Sequence, residues 1–217
     1  MPGKSPNIIR LYRIIHINNL RHLLANGICT KSHNLADPNY IDIGDRGLIN
    51  KRNVYAVGID PPGGNLGDYV PFYFGRLSPM LLNIKTGQRD VTKRHQREII
   101  YICCRLSDVV AQCEEWCFTD GHAKTVSLTE FYNDLKDLDE VDWSIVDERY
   151  WRNDVNDIDR VRRKQAEFLV KDYAPVDCVE QIIVYDASAL AKAQEIVEDL
   201  ELQIQVKVNP GNNYYYY

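Results

Sequence analysis

Four polar residues have side chains suited to acid–base or electrostatic catalysis, and each lies where an apolar stretch ends or a turn begins. They are His16 in "LYRIIHINN", Arg52 in "INKRNV", His122 in "TDGHA" and Glu167 in "RRKQAEFLV". A carboxylate at the start of a strand is held rigidly yet stays reachable, as a catalytic acid must. Histidine and carboxylate are also ligands of divalent metals. The residue types therefore leave open a fixed catalytic anion, a metal site or ordinary surface polarity.

The segment around Glu167 reads as a strand. Side chains alternate between faces of an extended chain, so Ala166, Phe168 and Val170 share one face, and Gln165, Glu167 and Leu169 share the other. We therefore expect Glu167 to emerge from a sheet whose opposite face is apolar.

The remaining elements alternate irregularly, which favours an α+β domain over a doubly wound sheet. Residues 30–68 are rich in Asn, Asp, Gly and Pro and predict a long loop, and the final "NNYYYY" predicts a frayed or packed-down end. Strands are predicted at 8–15, 69–74, 97–106, within 113–123, at 181–186 and at 202–208. Helices are predicted at 20–26, 78–84, 127–143 and 187–201.

Length and composition indicate one soluble globular domain over residues 1–217. No run of about 18 apolar residues predicts a membrane span. The opening "MPGKSPNIIR" lacks a signal-peptide core, so a cytoplasmic location is expected. The six cysteines form no C-x-x-C pair and predict neither a zinc site nor a disulfide framework.

The formal net charge of −5 argues against binding duplex DNA mainly through counterion release. Basic residues are nevertheless concentrated locally in "RDVTKRHQR", which contains Arg94, and in "RVRRK" at 160–164. The second tract either guides a polyanion toward Glu167 or forms a solvated loop. "GGNLG" has neither the spacing of a Rossmann fingerprint nor the following Lys-Ser/Thr of a P-loop.

Six blocks, in order and spread over about residues 8–208, resemble the DarT-type DNA ADP-ribosyltransferases, which are toxins of toxin–antitoxin systems. The blocks are "LYRIIHINNLRHLLANGI", "IDIGDRGLINKR", "GDYVPFYFGRLSPMLLNI", "CFTDGHA", "LDEVDW" and "RRKQAEFLV" followed by "IIVYD". The resemblance implies the ADP-ribosyltransferase fold, a split, mostly antiparallel sheet flanked by helices, with a cleft for NAD+. In such enzymes NAD+ is consumed as a co-substrate, and no metal is expected.

The resemblance also implies roles for individual residues. Glu167 and Arg52 are expected to be catalytic, Glu167 beside the nicotinamide ribose and Arg52 near the pyrophosphate and the attacked base. The residues expected to bind the cofactor are His16, Asn18, Arg52, Tyr69, Phe74, Met80 and His122. Those expected to bind DNA are Arg94, Arg162, Arg163 and Lys164.

The implied substrate is a base in single-stranded DNA, most often thymine, and the implied partner is a macrodomain antitoxin of the DarG type that removes the modification. We expect a monomer with no membrane association. Two alternatives stay open on the residues alone. One is a metal-dependent nuclease with His16, Asp120, His122 and Glu167 as ligands, and the other is a nucleic-acid-binding domain without chemistry.

Overall fold

The computed structural model describes residues 4–125 and 127–217. The predicted domain of 1–217 also includes residues 1–3 and 126, which lie outside the described residues.

A mostly antiparallel sheet of eight strands organises the described part of the chain, in the order β10-β9-β4-β1-β3-β7-β5-β6. Only the neighbours β9 and β10 run parallel within it, and β2 pairs with β8 in a separate two-stranded sheet. The strands are β1 (Arg10–His16), β2 (Ile28–Cys29), β3 (Tyr69–Tyr73), β4 (Ile99–Arg105), β5 (Trp116–Thr119), β6 (Phe131–Tyr132), β7 (Glu167–Lys171), β8 (Tyr173–Ala174), β9 (Val179–Val184) and β10 (Gln205–Val208). This is the α+β arrangement predicted from the sequence.

Helices flank the sheet and begin at recognisable capping residues. Ser78 accepts a hydrogen bond from the Leu81 amide at the start of α3, and Asp186 accepts one from the Ala189 amide at the start of α7. The helices are α1 (Leu20–Asn26), α2 (Arg46–Arg52), α3 (Pro79–Thr86), α4 (Leu106–Gln112), α5 (Trp143–Asp147), α6 (Arg160–Arg163) and α7 (Ala187–Asp199). Short 3₁₀ turns lie at Ile17–Asn19, Leu66–Asp68, Gln96–Glu98, Leu135–Glu140, Val176–Cys178 and Pro210–Asn212. No helix among the described residues is long and apolar enough to cross a bilayer.

The sheet is nearly divided between β1 and β3. A single residue pair, Tyr12 with Tyr73, joins these strands, whereas seven pairs join β1 to β4 and five join β3 to β7. Pro71, which has no N–H to donate, lies on the strand that borders this split. The predicted split sheet is therefore present.

Alternating side chains give the sheet one continuous apolar face and one divided face. The main core, on the continuous face, includes Phe72, Phe118, Phe168 and Ile182. On the other face, one half carries the Tyr101 cluster (Ile14, Leu81, Tyr101, Ile183, Tyr215). The other half carries the Leu169 cluster (Leu66, Tyr69, Cys117, Leu169). The gap between these two clusters leaves room for a cleft along the split.

The C-terminal tyrosines are packed down. The Tyr215 side chain is fully buried in the Tyr101 cluster, and its hydroxyl lies 2.9 Å from the Ile99 carbonyl oxygen and 3.2 Å from that of Ile183. Of the two outcomes expected for this end, the structure shows the packed one.

The helix predicted at 127–143 is wrong. Phe131–Tyr132 forms β6 against β5, Leu135–Glu140 is a 3₁₀ turn, and a helix begins only at Trp143. Leu128, which completed the helical spacing, is 63% exposed, whereas Phe131 is drawn into the Leu169 cluster. Pairing with β5 thus overrides a pattern that the sequence alone reads as helical.

The loop predicted at 30–68 also needs correction, because it contains α2. The Asp45 carboxylate accepts a hydrogen bond from the Leu48 amide at 3.0 Å and caps this helix. Arg52 is therefore the last residue of a helix, and its side chain is presented by a regular element.

Candidate active site

The split in the sheet opens into a cleft of about 1620 Å³. Ile14 from the Tyr101 cluster, and Leu66 and Tyr69 from the Leu169 cluster, contribute to its walls. Small-molecule sites commonly enclose roughly 300–1,000 Å³, so this cleft has room for a ligand of dinucleotide size.

Glu167 is the first residue of β7 and lies in the cleft wall with only 2% of its surface exposed. Its neighbours Ala166 and Phe168 point into the main core, as the alternation predicted. The Glu167 amide donates to Thr119 Oγ1 at 3.1 Å, which ties the backbone to the end of β5. The carboxylate therefore projects from a fixed backbone.

Three donors surround that carboxylate. Arg52 Nη1 lies 3.2 Å from Glu167 Oε2, while His122 Nδ1 and the Ala123 amide lie 3.3 and 3.4 Å from Oε1. Burial acts most strongly on the pKa of Glu167 and would raise it, but the Arg52 charge and then His122 outweigh it and lower the pKa to about 2. Glu167 is thus a buried carboxylate that stays ionised at neutral pH.

His122 has two competing contacts at one nitrogen. Nδ1 lies 3.3 Å from both Glu167 Oε1 and the Lys124 amide nitrogen. A ring with a proton on Nδ1 donates to Glu167, whereas a ring without one accepts from Lys124. Whether Nδ1 carries a hydrogen atom therefore decides whether His122 donates to the carboxylate.

Arg52 faces the cleft, and one of its guanidinium nitrogen atoms makes no hydrogen bond within the described part of the protein. Its side chain is 15% exposed, and Nη2 is buried without a hydrogen-bond partner among the described residues. A buried N–H group without a partner is costly, so this one is suited to an acceptor on a bound ligand. The phosphate oxygens of a dinucleotide are acceptors of this kind.

The two aromatic residues predicted for the cofactor wall, Tyr69 in β3 and Phe74 directly after it, lie on opposite faces of the sheet. Tyr69 lines the cleft, as does Met80 from α3. Phe74 is 3% exposed and packs edge-on against Phe118 and Phe168 in the main core. The predicted cofactor contact of Phe74 is therefore not supported by its position.

Tyr73 is the cleft residue that sequence reasoning missed. It is paired in register with Glu167, lines the cleft, and donates its hydroxyl to Met80 Sδ at 3.9 Å. Burial and then the Glu167 charge raise the pKa of Tyr73. The signal was available, because strand alternation places Tyr73 on the same face as Tyr69 and Phe74 on the opposite one.

His16 is the last residue of β1 and Asn18 lies in the 3₁₀ turn that follows it. Neither belongs to the described residues that line the cleft. His16 is buried; its Nδ1 accepts from the Asn18 amide at 3.1 Å, and its Nε2 lies 3.4 Å from Glu98 Oε2. Burial lowers the pKa of His16, which favours the neutral ring. The exposed Asn18 accepts from Lys192. The adjacent Asn19 does line the cleft. Its buried side-chain amide donates to the Ile41 carbonyl oxygen and accepts from the Ile41 amide.

The residues predicted to bind DNA are engaged within the protein. Arg94 lies 3.5 Å from Glu98, and the guanidinium groups of Arg162 and Arg163 each contact two or more carboxylates. Lys164 is 2% exposed and donates to the carbonyl oxygens of Val146 and Glu148. A phosphate contact by Lys164 is not supported, because burial has taken its ammonium off the surface and lowers its pKa to about 8.

The four residues considered as metal ligands do not converge. His122 and Glu167 touch, but the Asp120 carboxylate pairs with Arg162 and His16 faces Glu98. In the described ranges, no group of three or more His, Cys, Asp and Glu side chains could hold a metal ion.

Comparison with known proteins gives consistent matches over nearly the whole chain. A family model described as "ssDNA thymidine ADP-ribosyltransferase, DarT" matches residues 12–216. A DNA ADP-ribosyl transferase of Escherichia coli O127:H6 is 33% identical over 207 residues, which cover 95% of this chain and 94% of that protein. One from Thermus aquaticus is 34% identical over 208 residues, covering 95% of this chain and 88% of that protein.

A solved structure agrees with the fold. The DarT protein of Thermus sp. 2.9 in complex with ADP-ribosylated ssDNA aligns with a TM-score of 0.85 at 29% identity, covering 100% of this chain and 99% of that chain. The same protein in complex with NAD+ aligns with a TM-score of 0.80 at 29% identity, covering 99% and 100%.

Proposed function

The chain belongs to the DarT family, and from that membership we propose that it transfers ADP-ribose from NAD+ to a thymine base of single-stranded DNA and releases nicotinamide. The observation that carries the proposal is the buried, ionised Glu167, held in the cleft by Arg52 and His122.

Glu167 supplies a fixed negative charge. As the bond between the ribose and nicotinamide breaks, positive charge develops at the anomeric carbon, comparable to that in glycoside hydrolysis. A carboxylate that is already desolvated and oriented needs no reorganisation to stabilise that charge. Its low pKa keeps the stabilising form fully populated at neutral pH.

Arg52 has two tasks in this proposal. Its unpartnered Nη2 binds a phosphate oxygen of NAD+, and its permanent charge eases the loss of a proton from thymine N3. In the overall exchange, the carbon–nitrogen bond to nicotinamide breaks, a bond from the same carbon to N3 forms, and the N3 proton leaves to solvent. His122 supports Glu167 from the other side.

Single-stranded DNA suits a cleft of this kind because its bases are already accessible without being flipped out of a duplex. The loop at 148–159 leads into α6, and its residues Asn153 and Ile158 line the cleft. Tyr150 and Ile158 are 79% and 78% exposed, and Arg152 is also exposed. Exposed aromatic and apolar side chains can stack on the bases of a flexible DNA strand, and the neighbouring arginine supplies positive charge for its phosphates. This local arrangement suits a DNA substrate even in a protein with a net charge of −5.

The resemblance to the family also carries two proposals about the cell. A macrodomain antitoxin that removes ADP-ribose from the base is the expected partner, and the cytoplasm, where DNA and NAD+ meet, is the expected location. The monomeric state predicted from the sequence stays a prediction.

The decisive experiment incubates short thymine-containing oligonucleotides with NAD+ and the protein, and follows both products. Mass spectrometry should show one added ADP-ribose, with an equal amount of free nicotinamide. Glu167→Gln keeps the side-chain shape without the charge and should lower kcat by about 10²- to 10³-fold, the usual effect of losing one preorganised stabilising group. Comparable turnover in the variant contradicts the role of Glu167.

The same assay separates the alternatives. If the oligonucleotides are shortened, and a chelator prevents this shortening, the protein is a metal-dependent nuclease. Oligonucleotide binding without release of nicotinamide would indicate a binding domain that has no chemistry.

A further inference from the structure

Arg162 lies beside the cleft with its charge fully engaged. Its Nε and Nη2 donate to the Asp159 carboxylate at 2.8–3.0 Å, and Nη1 donates to Asp120 Oδ2 at 2.9 Å. Nη1 also lies 3.3 Å from Thr129 Oγ1. The Arg162 side chain is only 13% exposed. A guanidinium held by two carboxylates has little net charge left for a phosphate.

The partners of Arg162 belong to different segments. Asp159 immediately precedes α6, whereas Asp120 lies 42 residues before Arg162, in the turn that follows β5. Asp120 Oδ1 accepts from the Glu130 amide at 2.9 Å, which closes the turn. Arg162 therefore joins the segment ahead of Glu167 to the turn formed by residues 120–123.

The guanidinium rests directly on the backbone of that turn. A Cβ at Gly121 would lie 2.4 Å from Arg162 Nη1 and 2.9 Å from its Cγ, closer than heavy atoms can pack. Glycine at this position is what allows the side chain to cover the turn.

The 120–123 turn supplies two of the three groups that touch the Glu167 carboxylate. The His122 amide donates to the Arg162 carbonyl oxygen at 3.0 Å, and Thr129 Oγ1 donates to the His122 carbonyl oxygen at 3.0 Å. Held in this way, His122 Nδ1 and the Ala123 amide both reach Glu167 Oε1. A shift of the turn would withdraw both contacts together.

We propose that Arg162 is a positioning residue that locks the 120–123 turn against Glu167, through its paired contacts with Asp120 and Asp159. This assignment rests on the proposed function and replaces the DNA phosphate contact expected from the sequence. Asp120 is its necessary partner, and Gly121 provides the space.

The test compares Arg162→Gln, Arg162→Lys and Asp120→Asn in the full chain with NAD+ and a thymine-containing oligonucleotide. Misplacing a catalytic group by about 1 Å typically costs about 10²-fold in rate. We therefore expect kcat to fall about 10- to 100-fold in Arg162→Gln and Asp120→Asn. We also expect the KM for the oligonucleotide, and its dependence on salt, to stay within about two-fold of the wild type. Arg162→Lys, which keeps one of the two ion pairs, should recover part of kcat.

The acid limb of kcat, followed only at pH values where urea titration shows each variant to be folded, gives a readout that a loss of folded protein does not move. Four groups face the Glu167 carboxylate or act on it: Arg52 from α2, His122 from the turn, Tyr73 from β3 and Cys117 from β5. Releasing the turn removes the support of His122, so the acid limb should move to higher pH in Arg162→Gln and Asp120→Asn. The double variant should lose little more than either single variant, because both break the same link.

The control is Arg21→Gln, which removes an exposed Arg–Asp pair between α1 and α7 whose two residues do not line the cleft, and it should leave kcat unchanged. A larger oligonucleotide KM with a salt slope reduced by about 1 and an unchanged kcat would show that Arg162 binds phosphate. A lower kcat without a shift of its acid limb would contradict the positioning role and show that Arg162 only supports the fold. If Arg162→Gln does not fold, Asp120→Asn decides by the same criteria. Absence of transfer by the wild type would instead refute the proposed function.

Discussion

Because Glu167 is ionised in the fold, we expect the stability of the protein to depend on pH in a way that can be measured without substrate. The folded state binds a proton at this carboxylate less readily than the unfolded chain does. The Arg52–Glu167 pair therefore stabilises the fold above the unfolded pKa, and that stability is lost as the pH falls through the folded value. In Glu167→Gln no proton can bind at this position, so this part of the acid sensitivity should disappear.

The size of the effect follows from the two pKa values. With 4.5 in the unfolded chain and about 2 in the fold, the charge contributes about 3 kcal/mol to the free energy of unfolding at neutral pH. Between about pH 5 and about pH 3, about 2 kcal/mol of this is lost in the wild type and none in the variant.

Urea unfolding followed by tryptophan fluorescence, at about pH 5 and about pH 3, measures this difference. The quantity to compare is the change in unfolding free energy between the two pH values, so any offset caused by the amide itself cancels. Glu180, whose pKa is also lowered to about 2 by its hydrogen bond to Arg10, is present in both proteins and cancels as well. Glu195→Gln on the exposed face of α7 controls for the loss of one charge.

Equal acid sensitivity in the wild type and Glu167→Gln would refute the reasoning. It would mean that the pKa of Glu167 is the same in the folded protein and in the unfolded chain, so that Arg52 and His122 do not stabilise the negative charge on which the proposed chemistry depends.

Three further predictions concern other positions. Arg52→Lys keeps a charge but loses the planar donor set, so kcat/KM for NAD+ in the transfer assay should fall about ten-fold or more. Gly75→Ala would place a Cβ 1.9 Å from the Val146 carbonyl oxygen and should lower the unfolding free energy by about 1–3 kcal/mol in urea titrations, whereas Gly44→Ala, with its nearest contact at 3.5 Å, should change it much less. Lys164→Met removes a buried ammonium that donates to two carbonyl oxygens, so it should cost about 1–3 kcal/mol in the same titrations and leave oligonucleotide affinity unchanged.

The sequence was most informative where one periodicity governs a segment. Alternation placed Glu167 opposite the apolar Ala166 and Phe168, and the structure has them so. Applied to "YVPFYF", the same rule places Tyr73 with Tyr69 on the cleft face and Phe74 on the core face, whereas the prediction had chosen residues by type without regard to face.

Other features depend on contacts between distant segments, which a local pattern does not contain. Arg162 and Arg163 looked available because one acidic partner of each, Asp120 and Asp142 respectively, lies 42 and 21 residues away. Leu128 and Phe131 do have helical spacing, but Phe131 instead pairs with β5 and packs in the Leu169 cluster. Tertiary pairing outweighed local preference in both cases.

The single pair between Tyr12 and Tyr73 has a consequence for inhibitor design. A change in the distance between β1 and β3 disturbs very few backbone hydrogen bonds. The width of the cleft is therefore easier to change than the spacing between other neighbouring strands of the sheet. A compound that contacts both halves of the sheet would fix the width of the cleft, whereas a compound of equal size bound to one half would leave that width free to vary. Contact with both sides of the split is therefore what an inhibitor needs in order to hold the cleft at one width.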